Sequence, residues 1–290
     1  MTQAVVPARN TRAILMMIAA IFCFSVMDMS VKGLAPRVGV LPALWVRYAG
    51  QMLLVLVLVA PRLRSVARTE HLGMQLLRSV LIMMATAFFF LGISLIPLTD
   101  ASALMATNPV LITLGAALFL GERLGPRRIA GIAVAVTGAL VIIRPGSDVF
   151  SPAALLPLAA AVSYSSYVLL TRRLGPGEDA WTSLFYTGAV GAVVLTLVIP
   201  FVWQRPDAIA LGLMGLIAVF GTVGQLALIR AFSEGEAAML APFAYLNLVF
   251  AGFWGMTLYG EVPDLWTVAG TLVIAGAGLY VWYRETYRVT

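Results

Sequence analysis

Charge, cysteine, histidine and lysine are all scarce in this chain of 290 residues. Only 11% of it is charged, against roughly 25% in a soluble domain, while 61% is hydrophobic and the mean hydropathy is +0.96. An ordinary water-soluble globule is excluded. A single cysteine, Cys23, permits no intrachain disulfide, and a single histidine, His71, leaves no Cys/His set at metal-ligand spacing. Neither a metal nor any other cofactor is expected. No Gly-Lys-Ser/Thr run cradles a phosphate, so ATP hydrolysis is not expected either. No paired aspartates and no Ser/His pair lie within the apolar segments, which argues against an enzyme. Of the 19 basic side chains one is a lysine, Lys32, and the rest are arginines. They stand at the edges of apolar segments rather than in a nucleic-acid-binding patch, so no nucleic acid is expected as a partner.

What the chain has instead is long runs without charge. A charge at the centre of a bilayer costs roughly 2.5 to 3.5 kcal/mol on the insertion scale, so such runs mark spans. Seven are long enough to cross: Ser79–Thr99, Ala101–Gly121, Val149–Thr171, Ala180–Gln204, Ala208–Ile229, Ala237–Gly260 and Leu265–Tyr283. Three more follow if a few internal charges are tolerated: Ala13–Leu34 with Asp28 and Lys32, Val38–Ala60 with Arg47, and Pro126–Ile143. The sum is ten transmembrane helices, because lipid leaves exposed backbone groups unsatisfied and the runs show no alternation of strand type. Ten spans place both termini on one side. Thirteen arginines fall on that side, against Lys32, Arg37, Arg144 and Arg205 on the other, so both termini are expected in the cytoplasm.

A single register shift of 139 places Asn108 on Asn247, Gly121 on Gly260, Glu122 on Glu261 and Gly131 on Gly270. Gly-Glu after a long apolar helix is a rare combination, and its recurrence points to a duplication, with repeats expected over 12–144 and 149–285. A weaker match, Ser25 on Ser166 and Lys32 on Arg173, extends it to the first and sixth helices. The unit is then five helices. Five is odd, so the second copy is inverted, an architecture recurrent in secondary transporters with a midplane site between the halves. Duplication that merely builds a stable bundle is the alternative.

Ten spans in two five-helix halves with the Gly121-Glu122/Gly260-Glu261 pair resemble the drug/metabolite transporter superfamily, specifically its EamA-type branch. Within it the sequence is most similar overall to the YddG-type exporters of aromatic and other hydrophobic amino acids, without a single diagnostic motif. The resemblance implies an all-α, basket-shaped bundle in the bacterial inner membrane. Its central cavity would be lined mainly by helices outside the fourth-and-fifth and ninth-and-tenth pairs.

Several residues are candidates to touch a solute. Asp28 and Lys32 are four apart on the first helix and can face each other as an ion pair. They serve either a zwitterion or a coupling proton, or else simply neutralise one another with Lys32 snorkelling. Arg47 lies deep in the second helix, where it faces protein or a wet cavity and can bind a carboxylate, pair with Asp28, or hold helix-end carbonyls. Tyr164 and Tyr167 share a face of the sixth helix and can stack an aromatic side chain or anchor the helix at an interface. Phe88-Phe89-Phe90 reads mainly as lipid and packing surface. Asn108 and Asn247 read as a structural bond repeated in both halves, Glu122 and Glu261 as caps of the helix that follows each. Pro109 and Pro242 read as kinks. Glycine pairs such as Gly188/Gly191, Gly221/Gly224 and Gly252/Gly255 read as close-approach points.

The expected function is a monomeric secondary transporter that exports aromatic and other neutral hydrophobic amino acids, its partners being that small solute and the lipid bilayer. Alternatives are an exporter of lipophilic cations, drugs or other metabolites, and a scaffold that transports nothing.

Overall fold

The computed structural model describes residues 8–120, 126–144, 151–174, 178–234 and 240–287. Among them there is no strand. The helices are α1 (Ala8–Val38), α2 (Val40–Val59), the short α3 (Leu63–Val66), α4 (Leu72–Leu95), α5 (Leu98–Met105), α6 (Asn108–Leu120), α7 (Pro126–Ile143), α8 (Leu155–Leu174), α9 (Ala180–Val198), α10 (Ala208–Glu234), α11 (Leu246–Tyr259) and α12 (Leu265–Tyr287). Six segments, starting at Thr11, Val40, Leu72, Pro152, Ala180 and Ala208, are long and apolar enough to cross a bilayer. Gly121 and Glu122 lie outside the described residues.

The bundle has an apolar surface and carries polar and charged groups within a largely apolar core. Leu53, Val57, Leu118, Phe119, Leu197 and Leu272 are exposed, whereas Asp28, Arg47, Gln51, Gln75 and Arg78 are buried. A soluble monomer does the reverse, because water penalises large contiguous apolar patches; a lipid solvent does not.

Two expected spans are not single helices. The run Ala101–Gly121 is divided at Ala106-Thr107, where α5 ends and α6 begins. Pro109 enters in the first turn of α6, where a missing N–H leaves no bond unmade. The run Ala237–Gly260 contains a 3-10 turn, Ala241–Tyr245, with Pro242 in it, before α11 starts at Leu246. At the shift of 139, Asn108, the first residue of α6, falls on Asn247, the second of α11, so the two helices restart within one residue of equivalent positions. The expected kinks are therefore helix breaks. The third expected span also differs: α4 starts at Leu72 and carries Arg78 inside it, because a guanidinium with protein oxygens around it does not end a helix.

The main helix pairings map onto one another when α1, α2, α4, α5–α6 and α7 are exchanged for α8, α9, α10, α11 and α12. The α1–α10 contact becomes α8–α4, α2–α10 becomes α9–α4 and α6–α8 becomes α11–α1, while α2–α9 and α7–α12 map onto themselves; all of these contacts are present. Small residues set the approach at these crossings. A Cβ on Gly191 of α9 would enter the ring of Tyr48 of α2, and one on Gly221 of α10 would lie 2.9 Å from Arg47 Nη1. A Cβ on Gly252, by contrast, would meet nothing within 4 Å among the described residues.

Candidate functional site

Polar side chains gather in two layers. One layer lies where α1, α4, α5, α7, α11 and α12 meet. Helix α11 ends at Gly260 in the left-handed conformation (φ 64), and the Glu261 N–H closes back on the Gly255 carbonyl at 2.9 Å. Glycine takes that conformation without steric cost, and the turn delivers the Glu261 side chain inward. Its Oε1 lies 2.6 Å from Lys32 Nζ. Its Oε2 accepts the Leu98 N–H, the first of α5, at 2.9 Å. Lys32 Nζ also donates to the carbonyls of Ile93 (3.0 Å) and Ile96 (2.9 Å) at the end of α4. Tyr259 completes the knot, its hydroxyl donating to the Met29 carbonyl at 2.5 Å.

The expected Asp28–Lys32 pair is thus not made. One helical turn brings the two residues within reach, but Lys32 finds a carboxylate together with helix-end carbonyls that have no intrahelical partner. Glu261 likewise does not cap its own following helix: it caps α5, and Asp264 caps α12, accepting the Thr267 N–H at 2.8 Å. Arg144, the residue after α7, pairs with Asp264 at 2.5 Å, and Thr267 donates to Asp100 of α5 at 2.9 Å. The Thr267 N–H, with Arg144 adding to it, holds the Asp264 carboxyl below its ordinary range. A cavity of about 300 Å³ opens here, lined by residues that include Pro97, Asp100, Leu104, Arg144 and Glu261.

The second layer lies among α1, α2, α4, α8, α9 and α10. Arg47 is 5% exposed; its Nη1 donates to Met27 Sδ at 2.8 Å, and its guanidinium lies 5.9 Å from the Phe24 ring and 5.6 Å from the Tyr48 ring. Asp28 is buried within the electrostatic field of Arg47, and no hydrogen bond closes on its carboxylate among the described residues. The Tyr48 hydroxyl reaches the Ile82 carbonyl at 3.2 Å and Thr86 Oγ1 at 3.0 Å. Ile82 packs with Tyr164 and Tyr167 of α8, whose rings are 5.8 Å apart. Beyond them Arg78, 3% exposed, lies 5.2 Å from the Tyr167 ring and donates through Nη2 to the Ser183 carbonyl (2.7 Å) and to Thr187 Oγ1 (3.2 Å) of α9.

The structure therefore brings Arg47, Asp28, Tyr164 and Tyr167 toward one interior and sends Lys32 elsewhere. Asn108 and Asn247 sit at the restart of α6 and α11; Asn108 Oδ1 is buried with no partner among the described residues, and its carbonyl accepts Ser165 Oγ at 3.4 Å. No bond between the two asparagines is made among the described residues. Phe89 and Phe90 are buried in the main core rather than turned to lipid. Tyr48, Gln51 and Gln75 are not among the sequence candidates, and the charge-free run Ser79–Thr99 leaves Arg78 just outside its span. The available signal was glutamine and arginine one turn apart on apolar helices, Arg47/Gln51 and Gln75/Arg78.

An interior of buried charge within an apolar-surfaced helical bundle defines the class: a multi-pass membrane protein with polar groups held in reserve around its core. The model of the EamA-like transporter family matches the chain twice, over residues 11–144 and 151–283, and the chain belongs to that family. It is 33% identical over 270 residues to the pseudopaline exporter CntI of Pseudomonas aeruginosa, covering 91% of this chain and 93% of that one. It is 30% identical to a riboflavin transporter of Rhizobium johnstonii (98% and 95% covered) and 25% identical to an S-adenosylmethionine uptake transporter of Rickettsia bellii (89% of each). A solved crystal structure shares the fold with a TM-score of 0.66 at 19% identity, over 95% of this chain and 99% of that one. The protein is a transporter of this family. The relatives' named solutes differ from one another, and an amino-acid exporter is not among these three.

Proposed function

We propose that the chain is a monomeric, ten-span secondary carrier of the bacterial inner membrane, both termini cytoplasmic, that exports aromatic and other neutral hydrophobic amino acids by alternating access between two inverted five-helix halves. The exchange symmetry of the main helix contacts and the helix restarts at Asn108 and Leu246 support the two halves. Their odd helix number supports the inversion. The observation that carries the substrate class is the interior group of Arg47 with Asp28 beside the rings of Phe24 and Tyr48. A guanidinium can take a carboxylate, a carboxylate an ammonium, and aromatic faces an apolar side chain. A lipophilic cation is disfavoured, because it would meet the buried arginines.

The test is uptake of labelled phenylalanine into proteoliposomes, with leucine, riboflavin, S-adenosylmethionine and a quaternary ammonium dye as competitors. Saturable uptake that leucine alone inhibits is the expected result, with Asp28→Asn reducing it. Inhibition by riboflavin or S-adenosylmethionine would move the substrate toward those named for the relatives, and inhibition by the dye toward cations. No flux for any of them would overturn the amino-acid reading and move the search to another class of solute.

A further inference from the structure

Two arginines are buried in the interior layer, and their surroundings are not equivalent. Arg47 has the Asp28 carboxylate in its field. Arg78 has no ionic partner among the described residues: its hydrogen bonds go to a neutral carbonyl and a hydroxyl, its face to the Tyr167 ring, and its Nε is buried with no partner. Gln75, one turn earlier on α4, is fully buried; its amide nitrogen points to Ser183 Oγ at 3.4 Å and its Oε1 is also without a partner. Both side chains converge on Ser183. Neutral acceptors replace only part of the hydration a guanidinium loses on burial, and an uncompensated buried charge is strongly unfavourable. A group that is 97% enclosed, uncompensated and left with an open donor is built to receive an anion.

We propose that Arg78, backed by Gln75 and floored by Tyr167, is a loading subsite that captures the carboxylate of the solute before it reaches Arg47. The subsite lies in the first two turns of α4, on the side of the membrane that carries the termini. Arg78 Nε, the guanidinium nitrogen left without a partner, takes the carboxylate, Gln75 Oε1 accepts from the α-ammonium, and the Tyr164–Tyr167 face holds an aromatic side chain. Ile82, which packs on Tyr167 and whose carbonyl accepts the Tyr48 hydroxyl, joins this subsite to Arg47. The carried solute must then bring an anionic group. The inference rests on the amino-acid reading only for the remainder of the solute.

The test measures binding of phenylalanine, 3-phenylpropionate and phenethylamine to the purified full chain, wild type and Arg78→Gln, alongside phenylalanine flux in proteoliposomes. Charge-assisted bonds to carboxylate set the expected loss: Arg78→Gln weakens both carboxylates by about tenfold or more and leaves phenethylamine within about twofold. Phenylalanine carried by the wild type with an unchanged KM in Arg78→Gln overturns the subsite and leaves the amino-acid reading standing. Arg78-dependent binding of 3-phenylpropionate without phenylalanine flux supports the subsite and overturns the amino-acid reading. If Arg78→Gln does not fold, Tyr167→Leu serves instead. Loss of the preference for 3-phenylpropionate over hexanoate supports the subsite, and an unchanged preference overturns it.

Discussion

Charges in the Lys32–Glu261 layer are matched by charges, and those in the interior layer are largely matched by neutral oxygens and rings. Lys32 meets Glu261 and Arg144 meets Asp264; Arg37, at the same end of the bundle, meets Asp207 at 2.5 Å. Arg78 meets only a carbonyl, a hydroxyl and an aromatic face, and Arg47 hydrogen-bonds a thioether with Asp28 at a remove. A satisfied ion pair is a finished contact, and its work is to hold helices from both halves together. An incomplete one leaves free energy available for a ligand to release. On the proposed function, the first layer is a tie that would break when the bundle opens on that side, and the second is where the solute would supply the missing counter-charge.

The sharpest way to break this comparison is to remove one member of a finished pair. Lys32→Met leaves the Glu261 carboxylate, only 20% exposed, without its cation, and it should lower unfolding free energy by on the order of 3 kcal/mol. Thermal unfolding in detergent, followed by tryptophan fluorescence, measures this. Lys32→Met combined with Glu261→Gln should recover much of the loss. If the single variant is as stable as the wild type, the layer is not a structural tie.

A smaller effect is expected where packing, not charge, places the interior group. Gly191→Ala puts a methyl into the ring of Tyr48, and overpacking of this kind costs about 1 to 3 kcal/mol. Since Tyr48 lies beside Arg47, the KM for the solute should rise together with the loss of stability. Gly252→Ala has open space and serves as the control, with no change in either.

These differences explain what was legible in the sequence. Charge-free runs locate spans because a bilayer penalises charge wherever it has no partner, and the recurrence of Asn108, Gly121 and Glu122 at Asn247, Gly260 and Glu261 points to a duplication. Partners across the bundle are another matter. Lys32 looked paired with Asp28 because four residues is a helical turn, yet its true partner is Glu261 on α11's closing turn, and only tertiary structure puts that turn beside α1. Arg78 bounds the charge-free run Ser79–Thr99, yet a charge held by protein oxygens lies inside the helix rather than at its edge. The break at Ala106-Thr107 carries no charge at all, so a hydropathy argument runs straight through it.

Next in size is the cap of α12. Asp264→Ala removes the acceptor for the Thr267 N–H and should cost about 1 kcal/mol. The pH dependence has a definite sign. The folded-state carboxyl titrates below its ordinary range, chiefly because of the Thr267 N–H and with a contribution from Arg144, so its contribution is complete above the unfolded value of about 3.9. It is lost as pH falls through the lower folded value. Asp264→Asn keeps an acceptor and does not titrate, so the gap in melting temperature between wild type and Asp264→Asn should narrow on going from neutral pH to strong acid and stay constant from pH 6 to 8. A gap that changes between pH 6 and 8 would mean that another group governs this end.

The smallest stability change is expected at Arg78, and it separates the two layers most cleanly. Methionine keeps much of the apolar stem while removing a charge that has no ionic partner among the described residues. Relief of desolvation then opposes the loss of the bonds to Ser183 and Thr187. Arg78→Met should therefore leave unfolding free energy within about 1 kcal/mol of the wild type, whereas Lys32→Met, an equally conservative change of shape, does not. A large destabilisation by Arg78→Met would mean that the Ser183 and Thr187 bonds already complete the site and that Arg78, like Lys32, is a finished contact between helices.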